Sequence, residues 1–115
     1  MGDVNVCTDQ PAAFLLPAKS VLDELLSIVG GSELGRVLVN RLMPGAKVLR
    51  HSDGKNLSYS RYHVVLETND DVEFICGNEK ASMRQGECWW FNNSEEHEVT
   101  NHGKTPRIHL IADIR

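Results

Sequence analysis

A chain of 115 residues holds one core and not two, because roughly 65% of the unfolded surface is buried at that size. Its 41% apolar and 24% charged residues are ordinary for a soluble globular protein, and a net charge of −4 without a run of Lys or Arg gives no sign of a nucleic-acid or anionic-membrane partner. No apolar run approaches the ~20 residues of a membrane span, the start lacks the order of a signal peptide, and Cys7, Cys76 and Cys88 form no CxxC pair, so a reducing, cytoplasmic setting is the default expectation.

Residues 1–13 carry no strong periodicity and read as an arm or a short edge segment. Pro17 opens a helical pattern in which Val21, Leu22, Leu25, Leu26, Ile28 and Val29 recur mostly at steps of three and four, and Gly30-Gly31 stops it. Such a stripe lies against something, most simply one face of a sheet. Everything after Gly35 reads as short strands. Residues 36–43 have a β-rich centre, Pro44-Gly45 fits the middle of a type II turn, and residues 47–51 resume an extended run. Residues 61–68 alternate, with His63, Val65 and Glu67 on one face and Val64 and Leu66 on the other. Further strands are expected at 72–76, 81–83, 87–91, 97–100 and 107–114, with turns at Asn69-Asp70-Asp71, Gly77-Asn78, Gly86 and Asn101-His102-Gly103. Seven or eight strands at this spacing predict an all-β antiparallel sandwich or jelly roll, one domain over 1–115 with arm and helix in 1–35 and a β core in 36–115.

The chemistry is concentrated in His51-Ser-Asp-Gly54, His97 and Arg107. At strand geometry His51 and Asp53 point the same way and can share one ion, and in a jelly roll His97 can arrive from the opposite wall. Two imidazoles and one carboxylate on one face of an octahedral ion are the ligand set of non-haem Fe(II) oxygenases, since they leave positions for a cosubstrate and oxygen. An Arg beyond them can take a dicarboxylate such as 2-oxoglutarate by a charge-assisted fork. In the last strand Ile108, Leu110, Ala112 and Ile114 form an apolar face that fits the core between the sheets. Arg107, His109, Ile111 and Asp113 form a mixed face, and periodicity leaves Arg107 either a polar cavity or solvent. Each part alone has a plainer reading: His-x-Asp-Gly is common in turns, His97 sits in a polar loop, and one Arg is usually a surface charge. Trp89-Trp90 reads as structure, one ring on each face; Glu67 reads as a solvent-facing strand end; His102 and His109 read as solvated or supporting groups.

From Arg36 to Asp113, about two thirds of the chain, the sequence resembles the aspartyl/asparaginyl β-hydroxylase family of 2-oxoglutarate oxygenases. The pieces are Leu42-Met-Pro-Gly45, His51-Ser-Asp53, Arg61-Tyr-His63, Gly86-Glu-Cys-Trp89, Phe91-Asn-Asn-Ser94, His97-Glu-Val99 and Arg107-Ile-His-Leu-Ile111. The resemblance implies a double-stranded β-helix, Fe(II) at His51, Asp53 and His97, and the distal carboxylate of 2-oxoglutarate on an inward-facing Arg107. It implies that Arg61 and His63 lie near the cosubstrate or a substrate carboxylate, and that Asn40 stands where a Ser helps the Arg. The expected activity is hydroxylation of a C–H bond, with O2, of a peptidyl Asp or Asn or a free amino acid. Animal members that resemble this chain have Gly at the position of Asp53, so the carboxylate here suggests a full triad. Gly86 to Asn101 also resembles the second motif of the cupins, with His63 and Glu67 as half of the first; on that reading the chain is a metal or small-molecule binding module without oxygenase activity.

Overall fold

Residues 4–9, 18–54 and 59–115 are described in a computed structural model of the chain. The order is β1 (Val4–Asp9), α1 (Ala18–Val29), β2 (Leu34–Leu42), β3 (Lys47–His51), β4 (Ser60–Glu67), β5 (Val72–Cys76), β6 (Glu79–Ala81), β7 (Glu87–Phe91), β8 (His97–Asn101) and β9 (Arg107–Ile114). One sheet runs β1-β7-β4-β9-β2 and the other β3-β8-β5-β6, and each neighbouring pair is antiparallel. The two sheets form the all-β jelly roll that the strand spacing predicts.

Two apolar layers hold it together. Leu42, Phe74, Cys76, Phe91 and Val99 fill the space between the sheets. Outside the five-stranded sheet, Leu25 of α1 packs on Val64, Cys88, Leu110, Ala112 and Ile114, with Leu22, Leu26 and Val29 around it. The even-numbered face of β9, expected between the sheets, therefore lies under the helix. The reason is that β9 turns its mixed face, with Arg107, His109 and Asp113, toward the interior between the sheets, while an amphipathic helix covers its uniformly apolar side. Helix α1 ends as its sequence dictates: Gly30 adopts φ 69°, Gly31 N–H donates to the Leu26 carbonyl at 2.9 Å and Gly30 N–H to that of Ser27 at 3.3 Å. Pro17, residues 1–3 and 10–13, and the side chain of Val21 lie outside the described residues.

The arm that showed no periodicity contains β1, an edge strand whose register runs from Val4 opposite Phe91 to Asp9 opposite Glu87. A strand recruited by pairing needs no amphipathic signal of its own. The short strand expected at 81–83 falls at Glu79–Ala81, because Gly77-Asn78 is a two-residue hairpin turn with Cys76 opposite Glu79 and Gly77 at φ 59°. Pro44-Gly45 forms the expected turn, with Gly45 at φ 82° and Ala46 N–H on the Met43 carbonyl. Among the described residues no helix is long and apolar enough to cross a membrane.

Candidate metal centre

The centre is built where β3 meets β8. His51 and His97 are direct cross-strand partners, and their rings stand 4.5 Å apart between centroids. Between Val48, opposite Val99, and His51, opposite His97, β3 carries one residue more than β8. An irregularity of this kind flips the alternation of faces, so His51 joins Val48 on the inner wall instead of pointing away from it. Asp53 follows in the loop after β3, where its N–H donates to the Asn93 carbonyl at 2.9 Å.

Donor atoms of His51, Asp53 and His97 all lie within 4.8 Å of one another, the one such group among the described residues. Asp53 Oδ1 is 3.1 Å from His51 Nε2, and Oδ2 is 3.7 Å from His97 Nε2. An ion with bonds of ~2.1 Å at right angles needs donors about 3 Å apart, a spacing that Asp53 Oδ1 and His51 Nε2 already have at 3.1 Å and toward which the group, within 4.8 Å overall, would close on an ion. The imidazoles are prepared for it: Nδ1 of His51 donates to the Leu49 carbonyl at 2.7 Å and Nδ1 of His97 to that of Glu95 at 2.9 Å. With the proton on Nδ1, each Nε2 presents a bare lone pair to the centre. His51 is 41% exposed and His97 only 9%, which places the cluster at the barrel mouth.

Inside the mouth lies a cavity of about 150 Å³ lined by the three residues with Asn40, Arg61, His63, Phe74, Phe91, Val99, Arg107 and Ile111. Arg107 is 4% exposed and, among the described residues, has one hydrogen bond, from Nη1 to Asn40 Oδ1 at 3.1 Å, with Nε left without a partner. Burial alone pulls its pKa down to about 10. A buried guanidinium with no carboxylate on it among the described residues, beside an open cavity, fits a ligand that brings the carboxylate. The odd-numbered face of β9 is thus the inner one, the cavity side of the alternative that periodicity left open. Buried Asn101 holds the approach to β9, donating from Nδ2 to the carbonyls of Leu42 and Thr105.

His63 is buried and its Nδ1 lies 3.0 Å from Nδ1 of His109, so one ring donates and the other accepts. Burial first, then the charge of Arg107, lowers the pKa of both, that of His63 to about 3. Arg61, the register partner of Asp113, donates to both of its carboxylate oxygens and also lies 3.6 Å from Asp53 Oδ2. Neither Asp113 nor Asn93 stood out as a site residue in the sequence. The parity of β9 puts Asp113 on Arg107's face, but the neighbour it would meet depends on sheet order. Glu67 and His102 are exposed, as expected. Trp89 is buried, with Nε1 donating to Glu87, and Trp90 lies half-buried on the opposite face.

Two further hollows adjoin the cavity. One of about 290 Å³ is lined by Arg36, Asp53, Gly54, Tyr59, Arg61, Asn93 and Asp113. The other, of about 440 Å³, shares only Phe74, Val99 and Arg107 with the inner cavity.

Fold and site together define a cupin-like jelly roll with a His-Asp-His cluster at its mouth. Solved structures similar in fold include a predicted oxalate decarboxylase from Thermotoga maritima, at 15% identity and a TM-score of 0.53 over 98% of this chain and 79% of that one. Another is a sugar phosphate isomerase from a cupin superfamily, from Silicibacter pomeroyi, at 26% identity and a TM-score of 0.51 over 79% of this chain and 56% of that one. The chain belongs to the aspartyl/asparaginyl β-hydroxylase family, whose model matches residues 10–115. It is 30% identical to L-proline cis-4-hydroxylase from Rhizobium meliloti (strain 1021) over 97% of its own length, and spans 42% of that relative.

Proposed function

We propose that the chain is the catalytic core of an Fe(II)- and 2-oxoglutarate-dependent dioxygenase that hydroxylates a C–H bond of an amino-acid-type substrate. The observation that carries this reading is the pairing, on one small cavity, of a His-Asp-His cluster with a buried Arg107 that meets no carboxylate among the described residues. His51, Asp53 and His97 would hold the iron. Arg107, aimed by Asn40, would take the distal carboxylate of 2-oxoglutarate, and a cavity of about 150 Å³ suits a molecule of five carbons. When bound, iron and 2-oxoglutarate supply the oxidising chemistry: the keto acid loses CO2 and becomes succinate as one atom of O2 goes into a C–H bond.

The chain's own residues bind, orient and keep water out. Phe74, Phe91, Val99 and Ile111 make the apolar part of the cavity wall. His63, neutral and fixed by His109, lies on that wall beside Arg107. The hollow of about 290 Å³ next to Asp53, lined by Arg36, Tyr59 and Asn93 beside the Arg61–Asp113 pair, adjoins the cavity as a polar space in which an amino-acid-type substrate would sit. That the relative L-proline cis-4-hydroxylase is named for a free amino acid supports a substrate of this class. The cupin ligand set finds less support, since His63 is tied to His109 and Glu67 is exposed.

Anaerobic addition of Fe(II) and then 2-oxoglutarate to the purified protein tests the reading. A visible charge-transfer band in wild type that is lost in His51→Ala is the expected result. Tight metal binding with no band on adding the keto acid would overturn it and favour the cupin-like binding module.

A further inference from the structure

Arg61 borders both the inner cavity and the hollow beside Asp53, a position that invites the role of a carboxylate clamp. Two of its five N–H groups are already committed to a carboxylate of the chain itself. Nε donates to Asp113 Oδ1 at 2.8 Å and Nη2 to Asp113 Oδ2 at 3.0 Å, a two-toothed fork between cross-strand partners on β4 and β9. The remaining nitrogen, Nη1, lies 3.6 Å from Asp53 Oδ2. The Arg61 side chain is 23% exposed and that of Asp113 12%, so the pair is largely shielded from solvent. The hydrogen bond to Asp113 raises the Arg61 pKa, the direction of a charge held by its neighbours.

The same Asp53 oxygen accepts from Asn93 Nδ2 at 3.2 Å. Among the described residues Asp53 Oδ2 therefore faces a guanidinium and an amide N–H, with His97 Nε2 at 3.7 Å, while Oδ1 faces His51 Nε2 at 3.1 Å. A carboxylate that gave both oxygens to an ion would use two positions, one more than a metal that must also take a chelating keto acid and oxygen can spare. Donors on one oxygen keep it from the ion and fix the plane of the group.

We propose that Arg61, braced by Asp113, is a positioning residue for Asp53: together with Asn93 it occupies Oδ2 and leaves Oδ1 as the donor for the metal. This rests on the reading of His51, Asp53 and His97 as the metal triad. It differs from the clamp role that the family resemblance implies for Arg61, because the groups that would grip a ligand carboxylate here grip the chain's own.

Co(II), whose visible bands report coordination, tests this on the full chain without turnover. Arg61→Gln and Asp113→Asn are each expected to weaken Co(II) binding by about 10-fold or more and to change the band shape, the scale found when supporting partners of metal ligands are removed. Their double variant should lose little beyond either single one, because the two act as a unit. Asn93→Ala, which leaves the Arg61–Asp113 pair intact, should give a smaller shift in the same direction; it carries the test should either partner prove necessary for folding. Wild-type Co(II) affinity and spectrum in Asn93→Ala and in the folded Arg61 or Asp113 variants would overturn the proposal while leaving the triad in place. A rise in the 2-oxoglutarate or amino-acid requirement alone would then assign Arg61 to ligand binding. Failure of wild type to bind Co(II) more tightly than His97→Ala would remove the triad and this inference together.

Discussion

Arg107 carries a charge where water scarcely reaches it and where the described residues offer one amide oxygen in return. A pKa drawn from 12.5 down to about 10 by burial corresponds to roughly 3 kcal/mol of folding free energy given up at neutral pH. Proteins keep such a group when a ligand supplies what the fold withholds. Arg107→Met, which keeps length and removes the charge, is accordingly expected to raise stability by about 1–3 kcal/mol in urea denaturation. On the proposed function, 2-oxoglutarate with Mn(II) is expected to raise the melting temperature of wild type, and the same variant should lose that shift. A less stable Arg107→Met that still responds to the keto acid would show that Arg107 is a structural cation.

At the scale of elements, α1 and the centre occupy opposite faces of β9 and can be separated by mutation. Leu25, 3% exposed, anchors the helix on Val64, Leu110 and Ala112. Leu25→Ala should cost about 2–4 kcal/mol, lowering the melting temperature by roughly 10 °C, while Co(II) affinity at 25 °C stays within twofold of wild type. A large loss of metal affinity would mean that the helix helps to shape the barrel mouth. The helix stripe, the Pro-Gly turn and the spacing of His51 and Asp53 were legible in the sequence because each depends on residues close along the chain. The side of β9 that faces inward was not, since an apolar face fits a helix as well as an opposing sheet. The pairing of Arg61 with Asp113 was hidden for a similar reason: it exists only because β4 lies beside β9, which local periodicity does not encode. The irregularity in β3 that aims His51 inward also left no mark, for nothing in Leu49 or Arg50 distinguishes a regular strand from a bulged one.

For the molecule as a whole, the polar lining of the barrel makes stability depend on pH. His63 and His109 share one short contact deep inside, and a proton added to either would place a cation near Arg107. Both therefore stay neutral when folded, His63 down to about pH 3, whereas in the unfolded chain a histidine takes up its proton near pH 6.5. The unfolded state thus binds more protons below pH 6.5, and stability falls as pH falls through that window, by about 1.4 kcal/mol per unit for each such histidine. Above pH 6.5 this contribution is fully present. Between pH 7 and pH 5, before most carboxylates titrate, His63 should account for a loss of about 2 kcal/mol, and the pair for about twice that. Urea denaturation in the presence of a chelator at the two pH values reads the change directly, and His109→Asn should shrink it by about half. The same pH dependence in His109→Asn as in wild type would show that the two imidazoles do not form a buried neutral pair, and with it would go the view that His63 presents an uncharged ring to the cavity.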